Sequence, residues 1–259
     1  MHTASIGVFD SGVGGTSIWR EITNRLPAEN TIYLADSKHA PYGEKSKQDI
    51  IDISIENTEF LIAKGVKLIV VACNTATTNA ISILREKFDI PFVGIEPAIK
   101  PAALATQTNS IGILATQGTL SSRLFHETCK KFTADINVIE QEGTGLVPLI
   151  EKGKINSTET KNLLKQYLQP MIHQNIDHLV LGCSHYPYLI PVIKSIIGNE
   201  VKIIDSGYAV AKQTESLLRH NKLLNQSLTL GKHLLLSNLE SKVLTDLTID
   251  VENVKVEIL

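Results

Sequence analysis

A set of strand-and-turn units occurs twice along this 259-residue chain, in the same order and at nearly constant spacing. Ile6-Gly-Val-Phe-Asp-Ser-Gly-Val-Gly-Gly15 aligns with Ile111-Gly-Ile-Leu-Ala-Thr-Gln-Gly-Thr-Leu120 at an offset of 105 residues. Cys73 aligns with Cys183 at an offset of 110, and Val93-Gly-Ile-Glu-Pro97 with Ile203-Ile-Asp-Ser206 at 109, which sets Glu96 against Asp205. A repeat of this kind restricts the chain to two homologous halves, each a βα unit set, with one small insertion accounting for the drift.

Short aliphatic runs mark the strands, near Ser5 to Phe9, Thr31 to Ala35, Lys67 to Ala72 and Pro91 to Gly94 in the first half. The second half continues with Ser110 to Ala115, Ile136 to Ile139, His178 to Gly182 and Lys202 to Ile204. Helical periodicity lies between them, clearest over Asp49 to Lys64 and Thr158 to Gln174. Strand alternating with helix predicts an α/β fold with a doubly wound parallel sheet in each half. After Asp205 the pattern reads as a helix over Ala209 to His220, a strand at Leu234 to Leu236, a helix, and a strand at Val254 to Ile258. This tail is too short for a core of its own and is expected to pack on the first half. The expected domains are therefore 1–97 plus 208–259, and 98–207, related by pseudo-twofold symmetry with an active site between them.

A net charge of −2 with no basic stripe gives no footprint for nucleic acid. Lys45-Ser-Lys47 and Cys129-Lys-Lys131 are short and read as solvated faces. No apolar run approaches the roughly 18 to 20 residues that span a bilayer, and Met1-His-Thr-Ala-Ser-Ile6 runs into a strand without the features of a signal peptide. A cytoplasmic location without membrane contact is expected, and there the three cysteines stay reduced.

Cys73 follows the run Leu68-Ile-Val-Val-Ala72 and Cys183 follows His178-Leu-Val-Leu-Gly182, so each thiol stands where a buried strand turns toward a helix. Open α/β sheets bind ligands beyond these carboxyl ends. Asn74-Thr75 and Ser184-His185 follow the two cysteines with groups that hydrogen-bond a carboxylate. One thiol as base, the other as acid, and donors for charge moving onto carboxylate oxygens are what proton exchange α to a carboxylate requires. A helix N-terminus lowers a thiol pKa from about 8.5, which would leave some thiolate at neutral pH. Asp10 and His185 are natural proton partners for the two thiols. Cys129, in the helical stretch Leu120 to Phe132, reads as a packing residue.

The turn Asp10-Ser-Gly-Val-Gly-Gly15 admits two readings, an anion-facing amide turn or a helix start capped by Asp10 or Ser11. It lacks both the G-x-G-x-x-G spacing and the lysine of a P-loop. Pro41-Tyr-Gly43 reads as a plain turn or a flap over a site. Asp36, Glu96 and Asp205 read as helix caps or as partners behind a site. His185 has no second ligand at metal spacing, so no metal is expected. No lysine at the expected strand ends offers a Schiff-base setting for pyridoxal phosphate.

Asp10-Ser-Gly-Val-Gly-Gly15, Pro41-Tyr-Gly43, Ala72-Cys-Asn-Thr-Ala76, Gly182-Cys-Ser-His-Tyr-Pro187 and Asp205-Ser-Gly207, in this order and spacing, resemble the motif set of the glutamate racemase family. The resemblance covers nearly the whole chain and implies a cofactor-independent isomerase that interconverts L- and D-glutamate for peptidoglycan. By the same resemblance Cys73 deprotonates the D-enantiomer and Cys183 the L-enantiomer. Asp10, Ser11, Tyr42, Gly43, Asn74, Thr75, Ser184 and His185 would contact substrate, and Glu151 matches a family acid near the site. The family usually has Thr at Ser184, and many members have Cys-Pro where this chain has Gly143-Thr-Gly145. Family members commonly dimerise, in differing arrangements, which makes a homodimer an expectation here. The alternatives are an aspartate racemase or related two-cysteine enzyme, a thiol hydrolase using one cysteine with His185, and a non-catalytic binding protein on the same scaffold. The hydrolase leaves the second thiol without a task, and a binder needs neither.

Overall fold

A computed structural model describes residues 3–239 and 242–259. Its strands are β1 (Ile6–Asp10), β2 (Thr31–Ala35), β3 (Leu68–Val71), β4 (Phe92–Gly94), β5 (Ser110–Ala115), β6 (Asn137–Glu142), β7 (His178–Gly182), β8 (Lys202–Ile204), β9 (His233–Ser237) and β10 (Val254–Ile258). They form two sheets, ordered β10-β9-β2-β1-β3-β4 and β6-β5-β7-β8, and every pairing is parallel. The order β2-β1-β3-β4 in one sheet is the order β6-β5-β7-β8 in the other. The internal repeat thus reappears as topology, and β9 and β10 extend the first sheet beyond it.

Central strands are covered on both faces, so their interiors are apolar, with polar residues such as Asp10, Thr31, Ser110 and His178 only at their ends. β1, β2, β3, β5 and β7 are buried at every position. Each fully buried aliphatic side chain contributes about 1.5–3 kcal/mol. The edge strand β6 differs from expectation, running on through Glu140-Gln-Glu142 because one face and one edge stay open to water. The helix Lys47–Ala63 starts two residues before the expected Asp49, since Ser46 caps it by accepting from the Asp49 N–H at 3.2 Å.

The tail is tied down by a buried ion pair. Lys67 Nζ lies 2.6 Å from Glu29 Oε2 and donates to the Leu223 carbonyl, while Glu29 Oε1 accepts from the Asn225 N–H. Removing one partner of such a pair costs about 3–5 kcal/mol. The chain passes from the first sheet to the second at residues 95–98 and returns at 205–206. These two crossings touch, because the Ser206 hydroxyl donates to the Glu96 carbonyl.

Candidate active site

Both sheets point the carboxyl ends of their central strands at one another. Cys73 follows β3 and is the N-cap of the helix Asn74–Lys87, its Sγ accepting from the Ala76 N–H at 3.4 Å. Cys183 follows β7 at the start of the turn into Tyr186–Leu189. The two thiols are buried and line one cavity. Ser11, Tyr42, Gly43, Asn74 and Thr75 from the first half line it too, with Ser184 and His185 from the second. Both side-chain polar atoms of buried Asn74 lack a partner within the protein. Asp10 and Glu151 stand behind this lining.

The glycine turn after β1 serves a purpose other than a phosphate cradle. A Cβ on Gly12 would stand 2.0 Å from Glu151 Oε1, and one on Gly14 would stand 2.1 Å from His185 Nδ1. Glycine is needed because side chains of the other half occupy that space. The turn amides do face anions, but internal ones. Val13 N–H donates to Glu151 Oε1 at 2.7 Å, and the Gly12 and Gly15 N–H groups donate to Asp10 Oδ2 at 3.2 and 2.9 Å. The following helix Thr16–Arg25 is capped by Gly15, so neither Asp10 nor Ser11 is its N-cap.

Each thiol has its own polar company. His185 Nδ1 lies 3.8 Å from Cys183 Sγ, and its Nε2 lies 2.6 Å from Glu151 Oε1. The Gly14 N–H also points at Nε2, at 3.2 Å, a contact that asks for an unprotonated nitrogen. The shorter contact to Glu151 wins, and Nε2–H donates to the carboxylate. Burial alone would discharge the imidazole, but hydrogen bonds to Cys183 and Glu151 and the charge of Asp10 outweigh it and hold His185 well above the usual histidine range. Ser37 reaches the other oxygen of Glu151 at 3.3 Å.

At Cys73 the expectation of a lowered thiol pKa fails. Burial and the nearby Asp10 push it upward, and the Ala76 amide and Ser11 only reduce that effect. The helix N-terminus loses to desolvation of the charged form. Burial likewise raises Asp10 above the ordinary carboxylate range, against His185, the Gly15 N–H and the Ser184 hydroxyl, which donates to Oδ1 at 2.9 Å. Serine at 184 therefore supplies the hydroxyl that threonine would.

Asp36 is buried and accepts from Tyr42, His39 and Asn238, so it holds the Pro41-Tyr-Gly43 loop over the cavity. Asp205 caps the Gly207 N–H, and the Glu96 side chain is exposed. Cys129 packs half-buried beside the Phe125 cluster, and burial pushes its thiol up to about 11. Gly145 (φ 81°) and the close packing of Gly143 against Tyr186 explain the glycines before Leu146–Glu151. Sequence reasoning missed Thr116 and Val147, which line the cavity. The repeat carried a signal for Thr116, since the 105-residue offset sets it opposite Ser11. Ser17 and Thr16, which donate to the Ser184 carbonyl at 2.8 Å and pair with Tyr188, gave no such signal.

Among the described residues no group of three or more His, Cys, Asp and Glu is placed to hold a metal ion, and no helix is long and apolar enough to cross a membrane. Two buried thiols, each beside titratable groups, line one cavity between two parallel sheets of an α/β fold. The chain matches the Asp/Glu/Hydantoin racemase family over residues 6–214. It is 49% identical over 209 residues to a glutamate racemase of Ralstonia pickettii, covering 81% of this chain and 74% of that protein. Its fold superposes with a TM-score of 0.86 on the Francisella tularensis glutamate racemase solved with D-glutamate, at 31% identity, covering 100% of this chain and 98% of that one. The Escherichia coli glutamate racemase, solved with L-glutamate and the activator UDP-MurNAc-ala, gives 0.86 at 32% identity, covering 99% and 98%. The chain belongs to the Asp/Glu/Hydantoin racemase family and is an isomerase of the racemase class.

Proposed function

We propose that this chain interconverts L- and D-glutamate without a cofactor, using Cys73 and Cys183 as paired proton carriers, and that the D-glutamate serves peptidoglycan synthesis. The observation that carries the mechanism is that two buried thiols line one cavity, each backed by its own titratable group. The glutamate complexes of the two solved relatives support the substrate.

In the proposed reaction the thiolate of one cysteine takes the α-proton while density moves onto the α-carboxylate, and the opposite thiol returns a proton to the other face. His185, held as imidazolium by Glu151, exchanges the proton of Cys183. Asp10, raised by burial, does so for Cys73. Asn74 and Thr75, with Ser184, supply donors to the substrate. By the family resemblance Cys73 acts on the D-enantiomer and Cys183 on the L-enantiomer. The cavity between the thiols measures about 10 Å³, roughly the room of one water molecule, so the lining must widen to take glutamate.

The test begins with the purified chain, L-glutamate and no added metal or pyridoxal phosphate, with the enantiomers separated over time. Cys73→Ser and Cys183→Ser should each lose racemisation by at least about 10²- to 10⁴-fold. Given a glutamate analogue with a β-leaving group, each variant should eliminate from one enantiomer only. Two variants that treat both enantiomers alike would refute the division of labour. Expression in a bacterium that requires external D-glutamate should remove the requirement, and failure there with active protein would refute the peptidoglycan role.

A further inference from the structure

The sheet of the first half ends in β10, and among the described residues no strand pairs with its far side. Its pairing to β9 runs from His233, whose N–H donates to the Asn253 carbonyl, to Leu259, whose N–H donates to the Ser237 carbonyl. Bonding groups alternate along a parallel strand, so Asn253, Lys255, Glu257 and Leu259 face β9. The N–H and C=O groups of Val254, Val256 and Ile258 therefore face outward. Native edges are commonly blunted by proline, bulges or charge. This strand has no proline, its register with β9 is unbroken from Val254 to Ile258, and Lys255 Nζ lies 2.5 Å from Glu257 Oε1.

Val254-Lys-Val-Glu-Ile258 is its own complement. Two copies of one edge related by a twofold axis normal to the sheet pair antiparallel, and their outward groups meet only where residues 254, 256 and 258 oppose one another. With the axis at Val256, Val254 opposes Ile258 of the other copy, Val256 opposes itself, and every outward group is bonded. Lys255 then opposes Glu257 twice, at the non-hydrogen-bonded positions where side chains come closest. Ile258, left 59% exposed, gains an apolar neighbour on the face where Val254 and Val256 pack against the core. Moving the axis one residue either way sets lysine against lysine or glutamate against glutamate and leaves one outward residue unpaired.

We propose that β10 is an interface between two copies of this chain, joined edge to edge with Val256 on the twofold axis, so that two six-stranded sheets become one. The proposal is independent of the racemase reading. β9 and β2 separate β10 from β1 and the cavity, so the pairing leaves the site untouched. One short strand a side is far less than the roughly 20–30 residues of a stable interface, and the dimer should appear only between about 10 and 500 μM.

Sedimentation velocity of the full chain across that range should show a reversible monomer–dimer step. Lys255→Glu and Glu257→Lys each turn two attractive pairs repulsive and should weaken the step about tenfold. An equimolar mixture of these two variants sets the glutamates of one copy against the lysines of the other and should recover native association. Val256→Pro removes the N–H on the axis, an outward group that the sheet itself does not use, and should abolish the step. Circular dichroism checks that each variant folds, and the exposed charge variants carry the test if the proline variant does not. A native chain that stays monomeric throughout, a step that the charge variants leave unchanged, or a mixture no better than either variant alone would overturn the interface.

Discussion

Gly14→Ala tests whether the two halves share one site through the glycine turn. The added Cβ would lie 2.1 Å from His185 Nδ1, 2.3 Å from Cγ and 2.6 Å from Cε1. Comfortable carbon contacts begin at about 3.5 Å, so ring and turn must separate by roughly 1 Å or more. The ring is buried and held by Glu151 and Cys183, so it has contacts to lose if it moves. A misplacement of about 1 Å at a reacting group costs on the order of 10²-fold in rate. Overpacking a core should also cost about 1–3 kcal/mol of stability. The measurements are kcat/KM for glutamate racemisation by enantiomer separation, and the thermal midpoint. The discriminating variant is Gly14→Ala in a His185→Ala background, where no side-chain atom beyond Cβ remains at 185 to meet the methyl. There the alanine should change the residual rate by less than about threefold, because coupled sites are non-additive. Gly12→Ala should do less harm than Gly14→Ala, since it meets the flexible end of Glu151. If Gly14→Ala stayed within threefold of native, or lost as much again without His185, the steric reasoning would be wrong.

The raised pKa of His185 gives a signed pH dependence. A histidine raised in the folded state stabilises fully below its unfolded value of about 6.5 and loses this as pH rises through its folded pKa. The stability difference between native protein and His185→Gln, measured by urea unfolding, should therefore shrink toward alkaline pH, and a difference that grows would contradict it. Burial pushes the thiols of Cys73 and Cys129 up. Iodoacetamide labelling followed by mass spectrometry should find both slow at neutral pH and faster as pH rises, with glutamate protecting Cys73. Labelling of Cys73 at the rate of free cysteine at pH 7 would contradict that account.

The β-strand frame could be read directly because the interiors of buried parallel strands are short continuous apolar runs. Lys67 to Ala72 and His178 to Gly182 fell within a residue or so of β3 and β7 for that reason. β6 was harder, since its outer half carries Glu140 and Glu142, which a local reading assigns to a loop. The paired cysteines stood out through the repeat. Their proton partners did not all do so, because Glu151 reaches His185 from a helix 34 residues away and leaves no local pattern. The raised Cys73 pKa was hidden for another reason. A cap position can be read from neighbours in sequence, whereas desolvation is decided by residues brought around it by the fold, such as Phe9 and Tyr42. The glycines after β1 were visible as glycines, but the side chains that require them belong to the second sheet.

The contact between Ser206 and the Glu96 carbonyl has a mechanical meaning. Two chain crossings side by side act like the knuckles of a door, permitting rotation about the line through them and resisting sliding or twisting. A rotation that parted the halves about that line would break the Val13 and Gly14 contacts to Glu151 and His185 together.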